Sequence, residues 1–589
     1  MAETLISPGV LTRENDSSFI GGRPLTFGAA IIGPAVKGPV NIPTAVGSFS
    51  QYEAIFGGSV ESGSQFYTYL NSIAARNYFA QGGQSLLVTR VVTGSFSSAV
   101  TSGSGDAANN SGIITIGFAE GDDSGYQKTA FQLKTVSEGT IMNNWEATDA
   151  AGGTLNSGSA DNIRWEIGSV NTSSGQFSLF IRRGNDTSNQ KAVLETYNNL
   201  SMDPTAANYV AKAIGNTYFT IEQDGTDYYV KTNGDYINRS AYVYVSAVNT
   251  PTPQYFDNNG NVKNNFTGSM PAVGSGSFAS ATGVNFGDDQ QARFNENLTA
   301  TNIQGIAPND YTSSIKLLSN TDDYQFNVIS APGLIGTLHG TQVQSLVSLA
   351  QGRTDCISVI DLVPYNSTIA TVTNEASGYD TSYSATYWPW LQTIDAATGQ
   401  TVWAPTSTYI PAVYAFTDAS SDPWFAPAGL IRGALGSVIR AERKLTSGNR
   451  DTLYEANVNP IATFPGSGVV VFGQKTLQKK ASALDRVNVR RLLISLKGYI
   501  TQVSDNLVFE QNTIATRNNF LAQVNPYLES VQQRQGLYAF QVVMDETNNT
   551  PDVIDRNELV GQIYLQPTKT AEFIILDFNV LPTGATFPE

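Results

Sequence analysis

Seven positively charged side chains in the last quarter of the chain are the residues most able to do chemistry in this sequence. They are Lys475, Lys479, Lys480, Arg486, Arg490, Arg491 and Lys497. Within this set, Arg486, Arg490 and Lys497 are separated by steps of four and seven residues. On a helix, at about 100° per residue, this spacing places them in one narrow basic stripe beside an apolar face. Two interpretations stay open: the stripe faces water and makes internal ion pairs, or it contacts an acidic partner.

The chain has one histidine and one cysteine, which removes most catalytic mechanisms. His339 precedes a predicted helix and could stabilise an anion there, but it has no second imidazole and no nearby acid, so we predict a structural role. Cys356 begins an apolar strand and is predicted to be a small buried hydrophobic residue. A His pair for a metal and a cysteine-based zinc or iron-sulfur site are both ruled out. We therefore predict no enzyme activity, no catalytic residue, no metal site and no cofactor.

Length and composition indicate several folded domains with an uneven charge distribution. For 589 residues we expect two to four domains, and 41% hydrophobic residues are enough to form their cores. The formal net charge of −16 argues against nucleic acid as a direct partner. Between Arg432 and Arg517, however, 13 Lys or Arg stand against 6 Asp or Glu, so this segment carries +7 and the remainder −23.

The sequence gives no sign of targeting to a membrane. Its start has neither the basic segment nor the apolar run of a signal peptide. No stretch approaches the ~20 consecutive apolar residues that are needed to cross a bilayer. We expect a protein that is made and kept in cytoplasm-like solvent, without membrane insertion.

A compact unit over 458–543 must position the basic residues. A turn rich in glycine leads into a predicted buried strand at 469–472. Ser482 and Asp485 have the spacing of a capping box, in which both side chains satisfy free amide groups of the first helical turn. Apolar residues then recur at steps of three and four, which predicts a helix over 484–508 with one broad buried face.

A second helix is predicted over 514–524. It is expected to stop before Pro526, because proline disfavours a helical residue ahead of it, and a new short helix can begin at Pro526 and end at Gly536. The strand predicted over 537–543 then returns to the sheet.

Two halves of a mixed α/β core are predicted on either side of a β-rich segment. The first half holds strands at 28–33 and 86–92 and helices at 48–57 and 66–79. The second half begins with a strand at 325–329, a helix at 341–351 and a strand at 356–363. Strand, helix and strand in this order are typical of a crossover between parallel strands, in a sheet that helices cover.

Short strands and polar turns dominate the intervening segment. Strand candidates lie at 113–116, 131–136, 177–181 and 242–245. Regular short strands without long helices indicate a sandwich or a barrel. We predict one or two inserted all-β outer domains, with a boundary near 235–250 if there are two.

Both ends of the chain carry strand-forming residues that cannot form a core alone. At the N-terminus these are Leu5, Ile6, Val10 and Leu11, and near the C-terminus they are Phe573, Ile574, Ile575 and Leu576. An isolated strand of this kind needs a sheet to join, and an unpaired apolar edge promotes aggregation. We expect residues 571–580 to form a hairpin-like pair with 561–565. The alternatives are a frayed N-terminus and, for the C-terminal strand, an ordinary internal edge strand.

The predicted fold class is therefore α+β and multidomain: a mixed α/β core built from N- and C-terminal parts, inserted all-β domains of sandwich or barrel type, and extended terminal arms. The expected division is an arm at 1–23, the first part of the core at 24–97, the β-rich insertion at 98–324, the second part of the core at 325–560, and a strand pair and arm at 561–589.

Seven short motifs in the C-terminal region resemble a known family in their order. They are YWPWL at 387–391, YAFTD at 414–418, NPI at 459–461, FGQKTL at 472–477, VNVRRL at 487–492, VFE at 508–510 and AEFI at 571–574. Together, over about 190 residues, they resemble the C-terminal region of contractile phage tail sheath proteins. The segments from 24 to 97 and around 193–210 also resemble that family.

The resemblance implies a structural subunit that polymerises in six-membered rings around an inner tail tube. Such sheaths shorten on a signal from the baseplate and drive the tube through the host envelope during genome delivery. The implied partners are copies of the chain, the tail tube protein, and baseplate and terminator proteins, in a virion assembled in the host cytoplasm. The resemblance also makes the seven basic residues candidate contacts with an acidic tube, and the eight terminal strand residues candidates for pairing between subunits.

The β-rich insertion leaves a second function open. A phage tail-spike or adhesin that binds or cleaves host surface glycans would also be rich in short strands and aromatic side chains, such as Trp145 and Trp165. Glycan cleavage would need two carboxylates facing one cleft, and sequence spacing alone does not show such a pair.

Overall fold

The computed structural model describes residues 28–62, 65–101, 114, 129–139, 163–184, 186–187, 189–225, 227–278, 281–283, 298–396 and 399–572. Within these ranges the chain forms seven sheets and twelve α-helices. This confirms a mixed α/β architecture with several sheets. Among the described helices, none has both the length and the apolar character that a membrane span requires.

An eight-stranded sheet forms the centre of the molecule. In spatial order its strands are β2 (Thr44–Val46), β5 (Leu86–Arg90), β1 (Ala29–Gly33), β15 (Val328–Ile335), β16 (Ile357–Asp361), β17 (Ser384–Trp388), β21 (Asn459–Phe464) and β22 (Gly468–Val471). The six inner strands are parallel, and the two outer strands are antiparallel to their neighbours. Residue Ala29 pairs with Val328, so parts of the chain that are 299 residues apart form adjacent strands.

Apolar side chains cover both faces of this sheet. On β1, Ala29 and Ile31 belong to one hydrophobic cluster, while Ala30 and Ile32 belong to another on the opposite face. The covering helices are α1 (Phe49–Phe56), α2 (Leu70–Ala80), α5 (Tyr311–Leu317), α6 (Gly340–Arg353), α7 (Ile369–Ala376), α8 (Ile410–Ser420) and α9 (Ser447–Glu455). The predicted crossover is confirmed, because β15 and β16 are parallel and α6 connects them.

Local signals were sufficient at α1 but not at α2. The Ser48 side chain accepts a hydrogen bond from the Gln51 amide at the start of α1, and Gly57 ends the helix with a φ of 75°, as expected for these residue types. The helix predicted over 66–79 is wrong at its beginning. Residues Gln65–Thr68 form strand β4, which pairs with β3 (Ser59–Ser62), and the helix begins only at Leu70.

Residues 298–318 contribute their buried apolar side chains to the core of the central sheet, although α5 also contacts strand β12 (Asp227–Asn233) of the β-rich segment, where Lys316 Nζ lies 5.6 Å from the centre of the Tyr228 ring. Tyr311 and Ile315 of α5, together with Ile303, lie in the same hydrophobic cluster as β1 and β15. The predicted insertion, which extended to 324, is therefore too long at its C-terminal end. The sequence of this segment is largely polar. Its few apolar residues, which reach the core, are the signal that it packs against the central sheet.

The β-rich segment has a hydrophobic cluster of its own. One sheet of the segment consists of β6 (Ser98–Val100), β7 (Phe131–Glu138) and β13 (Val243–Val248). A second sheet consists of β8 (Ile163–Asn171), β9 (Gln176–Arg183), β10 (Val193–Ser201) and β14 (Gly274–Ser277). The segment also holds the hairpin of β11 (Tyr218–Asp224) and β12 (Asp227–Asn233) and the helices α3 (Val210–Ile214) and α4 (Asn264–Thr267). Residues before and after 235–250, such as Trp165 and Phe278, share the cluster. The described part of this segment therefore has one core.

Two smaller sheets complete the fold. Strands β18 (Leu391–Ile394), β19 (Thr401–Ala404) and β20 (Val438–Ala441) form one of them. The other belongs to a C-terminal unit of α10 (Val487–Asp505), α11 (Ile514–Gln533), β23 (Leu537–Val543), α12 (Pro551–Asp555) and β24 (Gln562–Pro567). Strand β23 pairs with β24, so the expectation that β23 rejoins the large sheet is wrong. The predicted hairpin partner of 561–565 lies mostly outside the described residues.

Helix α11 continues through Pro526, where the sequence predicted a break. Proline removes one hydrogen bond from a helix interior and crowds the preceding turn. In α11, however, Phe520, Val524, Leu528 and Val531 all lie on the face that packs into the C-terminal cluster, on both sides of the proline. Burial of this continuous apolar face outweighs the local preference for a break.

We expect Pro526→Ala to stabilise α11, because Pro526 is exposed and alanine restores the missing amide donor. Proline is about 3 kcal/mol less favourable than alanine in a helix interior, which corresponds to a factor on the order of 100, so amide hydrogen exchange in α11 should slow by up to about that factor. The matched change Leu528→Ala removes a fully buried side chain and should speed that exchange, since such truncations cost about 2–5 kcal/mol. Unchanged exchange in Pro526→Ala would contradict the packing explanation.

A second prediction concerns Asp361, which is buried at the end of β16. Its carboxylate accepts hydrogen bonds from the hydroxyl groups of Thr406 and Ser407 and from the Ser407 amide. Burial raises the pKa of Asp361 from 3.8 to about 6. Between these values the folded chain keeps a proton that the unfolded chain has lost, so the free energy of unfolding falls as the pH rises.

Asp361→Asn removes this titration. Relative to the wild type, the variant should gain stability between pH 4 and pH 7, by on the order of 3 kcal/mol for a difference of about two pKa units. Urea denaturation of both proteins at the two pH values measures the gain. A difference between the proteins that does not change with pH would rule out a raised pKa for Asp361.

Candidate interaction surface

The structure divides the seven basic residues by exposure. Arg490 and Arg491 are each 4% exposed, Lys475 and Arg486 are partly buried, and Lys479, Lys480 and Lys497 are exposed. The seven therefore do not share one solvent-facing surface. Each group has a different role in the fold.

Arg490 and Arg491 are held inside the molecule by hydrogen bonds to other segments. The Arg490 guanidinium donates to the carbonyl and the hydroxyl of Ser382 and lies 4.0 Å from the centre of the Tyr383 ring. Burial lowers the pKa of this guanidinium. Arg491 donates to both carboxylate oxygens of Asp418 at 2.6 Å, and burial raises the pKa of Asp418 against the opposing effect of Arg491.

The predicted solvent-facing stripe is therefore wrong for Arg490, and the exposure expected of Arg491 is wrong as well. Helical spacing gives the angular position of a side chain but not the depth of its turn in the protein. The first six residues of α10, Val487 to Leu492, are all buried. The core surrounds this end of the helix on every side. A side chain here is therefore buried even when its angular position lies on the polar side of the helix.

Arg486 and Lys475 lie beside a carboxylate near the end of the described chain. Arg486 donates through Nε to Oε1 of Glu572 at 2.7 Å and through Nη2 to Oε2 at 3.0 Å. Tyr454 donates its hydroxyl to Oε2 at 2.7 Å, and Gln474 donates its side-chain amide to Oε1 at 3.0 Å. We call Glu572 with these three donors the Glu572 clamp. Burial alone would raise the pKa of Glu572, but the three donors outweigh it and hold that pKa below its usual value.

Of the seven basic residues, the three lysines Lys479, Lys480 and Lys497 are the ones exposed to solvent. Lys479 donates its amino group to the Ser377 carbonyl, and its backbone amide bonds to Asp380. Lys480 follows it in the same loop, whereas Lys497 lies ten residues inside α10, about 15 Å along the helix. These three residues do not form a continuous stripe on one helix. Residues Leu5, Ile6, Val10, Leu11, Phe573, Ile574, Ile575 and Leu576, which were predicted to pair between subunits, lie outside the described residues.

Cys356 is buried, as predicted, and His339 is buried as well. His339 Nδ1 accepts from the Ile335 amide at 3.0 Å, and Nε2 lies 2.9 Å from the Thr299 carbonyl. Nε2 therefore carries the proton, and burial lowers the pKa of this imidazole. Cys356 is fully buried, and burial raises the pKa of its thiol, which opposes formation of a reactive thiolate.

A cavity of about 420 Å³ lies where the central sheet meets the C-terminal unit, between the ends of α2 and α8 and helices α10 and α11. The arginines in its lining are paired with acids that also line it: Arg491 with Asp418, and Arg534 with Asp422. Among the described residues, no group of three or more His, Cys, Asp or Glu is arranged to hold a metal ion. Because each arginine of the lining pairs with an acid of the lining, the charges of these side chains balance within the subunit.

Comparisons with known proteins agree on one family. Residues 304–477 match the model of the phage tail sheath protein central domain, and residues 479–581 match that of the phage tail sheath C-terminal domain. The chain is 43% identical over 187 residues to the tail sheath protein of Vibrio phage KVP40, which covers 32% of this chain and 28% of that protein. It is 33% identical over 266 residues to the tail sheath protein of Enterobacteria phage T4, which covers 42% of this chain and 40% of that protein.

The matched regions thus span less than half the length of either relative. The fold resembles the crystal structure of a sheath tail protein from Listeria innocua, with a TM-score of 0.50 and 10% identity over 92% of this chain and 95% of that one. Residues 304–477 and 479–581 of this chain are therefore similar to the central and C-terminal domains of phage tail sheath proteins.

Proposed function

We propose that the chain is a structural subunit of a contractile phage tail sheath, without enzyme activity. It polymerises around the inner tail tube and contracts to drive the tube through the host envelope during genome delivery. The observation that carries this proposal is the consecutive match to both sheath domains across 304–581. The likeness of the fold to another sheath tail protein supports it along most of the chain.

The proposed partners follow from this role. Copies of the chain form six-membered rings that stack into a helical sheath in the virion, after assembly in the host cytoplasm. The inner tail tube protein lies inside the sheath, and baseplate and terminator proteins bind at its ends. Direct contact with nucleic acid is not part of the proposal, because the net charge of −16 opposes binding to phosphates.

A sheath that changes length needs subunits that stay bonded while their packing changes. Strand addition meets this need, because many directional backbone hydrogen bonds form at one edge while the connecting segment permits rotation. Within the described residues, β23 and β24 pair only with each other, so their outer edges are available to further strands. We propose that the N-terminal segment 1–23 and the C-terminal residues beyond Glu572 supply pairing between neighbouring subunits, with the C-terminal unit that holds β23 and β24 as acceptor.

The remaining segments have separate roles in this proposal. Residues 24–97 and 325–560 form the core domain, and the β-rich residues within 98–324 form an outer domain that faces away from the tube. We end that outer domain near 283, because residues 298–318 share the hydrophobic cluster of the central sheet. Lys479, Lys480 and Lys497 are the proposed contacts with an acidic tube, since they are the exposed members of the basic set.

We predict that deletion of residues 1–20 leaves a folded subunit that forms no long polymers. In this proposal the deleted residues supply strand pairing between copies, and residues from Ala29 onward already build the two hydrophobic clusters of the central sheet. Circular dichroism would check the fold, and negative-stain microscopy would measure polymer length. Polymers of wild-type length from the shortened chain would contradict a role for this arm.

A second prediction concerns the exposed lysines. Changing Lys479, Lys480 and Lys497 to Glu should weaken assembly on purified tubes and spare tube-free polymers. Each exposed ion pair contributes only about 0–1 kcal/mol, so the effect should decrease as the salt concentration rises. Pelleting with and without tubes at two salt concentrations measures both quantities.

The matched control is Lys191→Glu, Lys212→Glu and Lys231→Glu, which changes the net charge equally at exposed positions of the β-rich segment. An equal loss of tube assembly in the control would show that the effect depends on net charge alone and not on these three positions.

A separate variant, Arg490→Met, should lower the free energy of unfolding and leave tube affinity unchanged. The change removes the buried guanidinium and its hydrogen bonds to Ser382, each worth about 1.5–3 kcal/mol.

A further inference from the structure

Glu572 is held by three segments that the fold has already fixed. Tyr454 lies in α9, Gln474 follows β22, and Arg486 directly precedes α10. Gln474 and Arg486 are held side by side, because the Val487 amide donates to the Gln474 carbonyl at 2.8 Å and Lys475 bridges to Arg486. The backbone segments that carry the donors are therefore fixed by contacts other than those to Glu572, which lowers the entropy cost of binding its carboxylate.

A short strap, residues 568–572, connects the C-terminal sheet to this site. Strand β24 ends at Pro567, and the Thr568 amide donates to the Gly536 carbonyl at the end of that sheet. Two residues further on, the Thr570 hydroxyl accepts from the Gln474 side chain at 2.6 Å. Residues 568–572 thus cross from the C-terminal unit to the core, and polar contacts hold both ends of the crossing.

The contacts are charged, bidentate and partly shielded from water. The Glu572 side chain is 18% exposed and that of Arg486 is 24% exposed. Bidentate pairs of arginine and carboxylate fix direction as well as distance. Since the carboxylate has donors on both oxygens, it cannot rotate without losing several of them together.

We propose that Glu572 is the anchor of the C-terminal segment: its clamp fixes the position and direction of the chain at residue 572, and so positions the contact that the segment beyond it makes with a second copy of the chain. The anchoring concerns the single subunit. The positioning of a contact rests on the proposed function. Glu572 is thus a positioning residue, distinct from the apolar residues predicted to form the strand beyond it.

Trypsin cleavage after Lys569 tests the anchor on the unassembled full-length chain. Lys569 is exposed, but cleavage requires the strap to open, and its rate follows the population of the open form. Glu572→Ala and Glu572→Gln should speed this cleavage by ~10-fold or more, because each removes bonds to a charged acceptor. Tyr454→Phe removes one donor conservatively and should speed it by roughly two- to tenfold.

Glu558→Gln is the matched control, since this exposed carboxylate forms an exposed pair with Arg556. The control should be cleaved after Lys569 at the wild-type rate. If none of the Glu572 and Tyr454 variants is cleaved faster than the wild type, the anchor is overturned, whatever happens in assembly.

Polymer length by negative-stain microscopy then tests the positioning role. Shorter or fewer polymers from Glu572→Gln, with normal polymers from Glu558→Gln, would support it. Accelerated cleavage with polymers of wild-type length would overturn the positioning role and leave the anchor. A wild-type chain that never polymerises would count against the proposed function alone, because the cleavage rates would still report on the anchor.

Discussion

The parallel pairing of β1 with β15 is the constraint on which the rest of the structure depends. It joins Ala29 to Val328 and so closes a loop of about 300 residues, at an entropic cost that grows only slowly with loop length. A parallel sheet must be covered on both faces. That requirement accounts for the helices on each side and for the division of β1 between two hydrophobic clusters. A large β-rich segment can lie between the two strands because its described residues have a separate core.

The sequence was most informative where a local rule and the tertiary structure agree. The strands at β1, β5 and β16 and the helix α6 were predictable, since apolar runs and helical periodicity are properties of neighbouring residues. The prediction failed where packing decides against the local rule. Pro526 continues a helix because the residues on either side of it share one buried face. The pairing of β23 with β24 could not be read from the sequence, because an amphipathic strand fits more than one sheet.

The candidate surface shows the same limit for charge. The local excess of basic residues between Arg432 and Arg517 was a correct count, yet much of it serves internal contacts. Arg490 bonds to Ser382, and Arg491 bonds to Asp418. Outside that segment, Arg353 donates to the carbonyls of Leu318, Asn320 and Tyr324 from a buried position. A planar guanidinium has five donors, so arginine can connect distant segments inside a protein. The net charge of a segment therefore does not predict the charge of the surface that the segment forms. Between Arg432 and Arg517, the buried arginines serve internal contacts, and the exposed lysines supply surface charge.

A shape-changing lattice also limits where flexibility can lie. If every link between subunits were flexible, movement of one subunit would not be passed to the next, and if every link were rigid, the lattice would break. An anchor of charged, bidentate bonds makes the link rigid at one residue, because the carboxylate of that residue loses its donors together and not one by one. In this chain that residue is Glu572. The strap at 568–572 thereby ties the orientation of the C-terminal unit to that of the core.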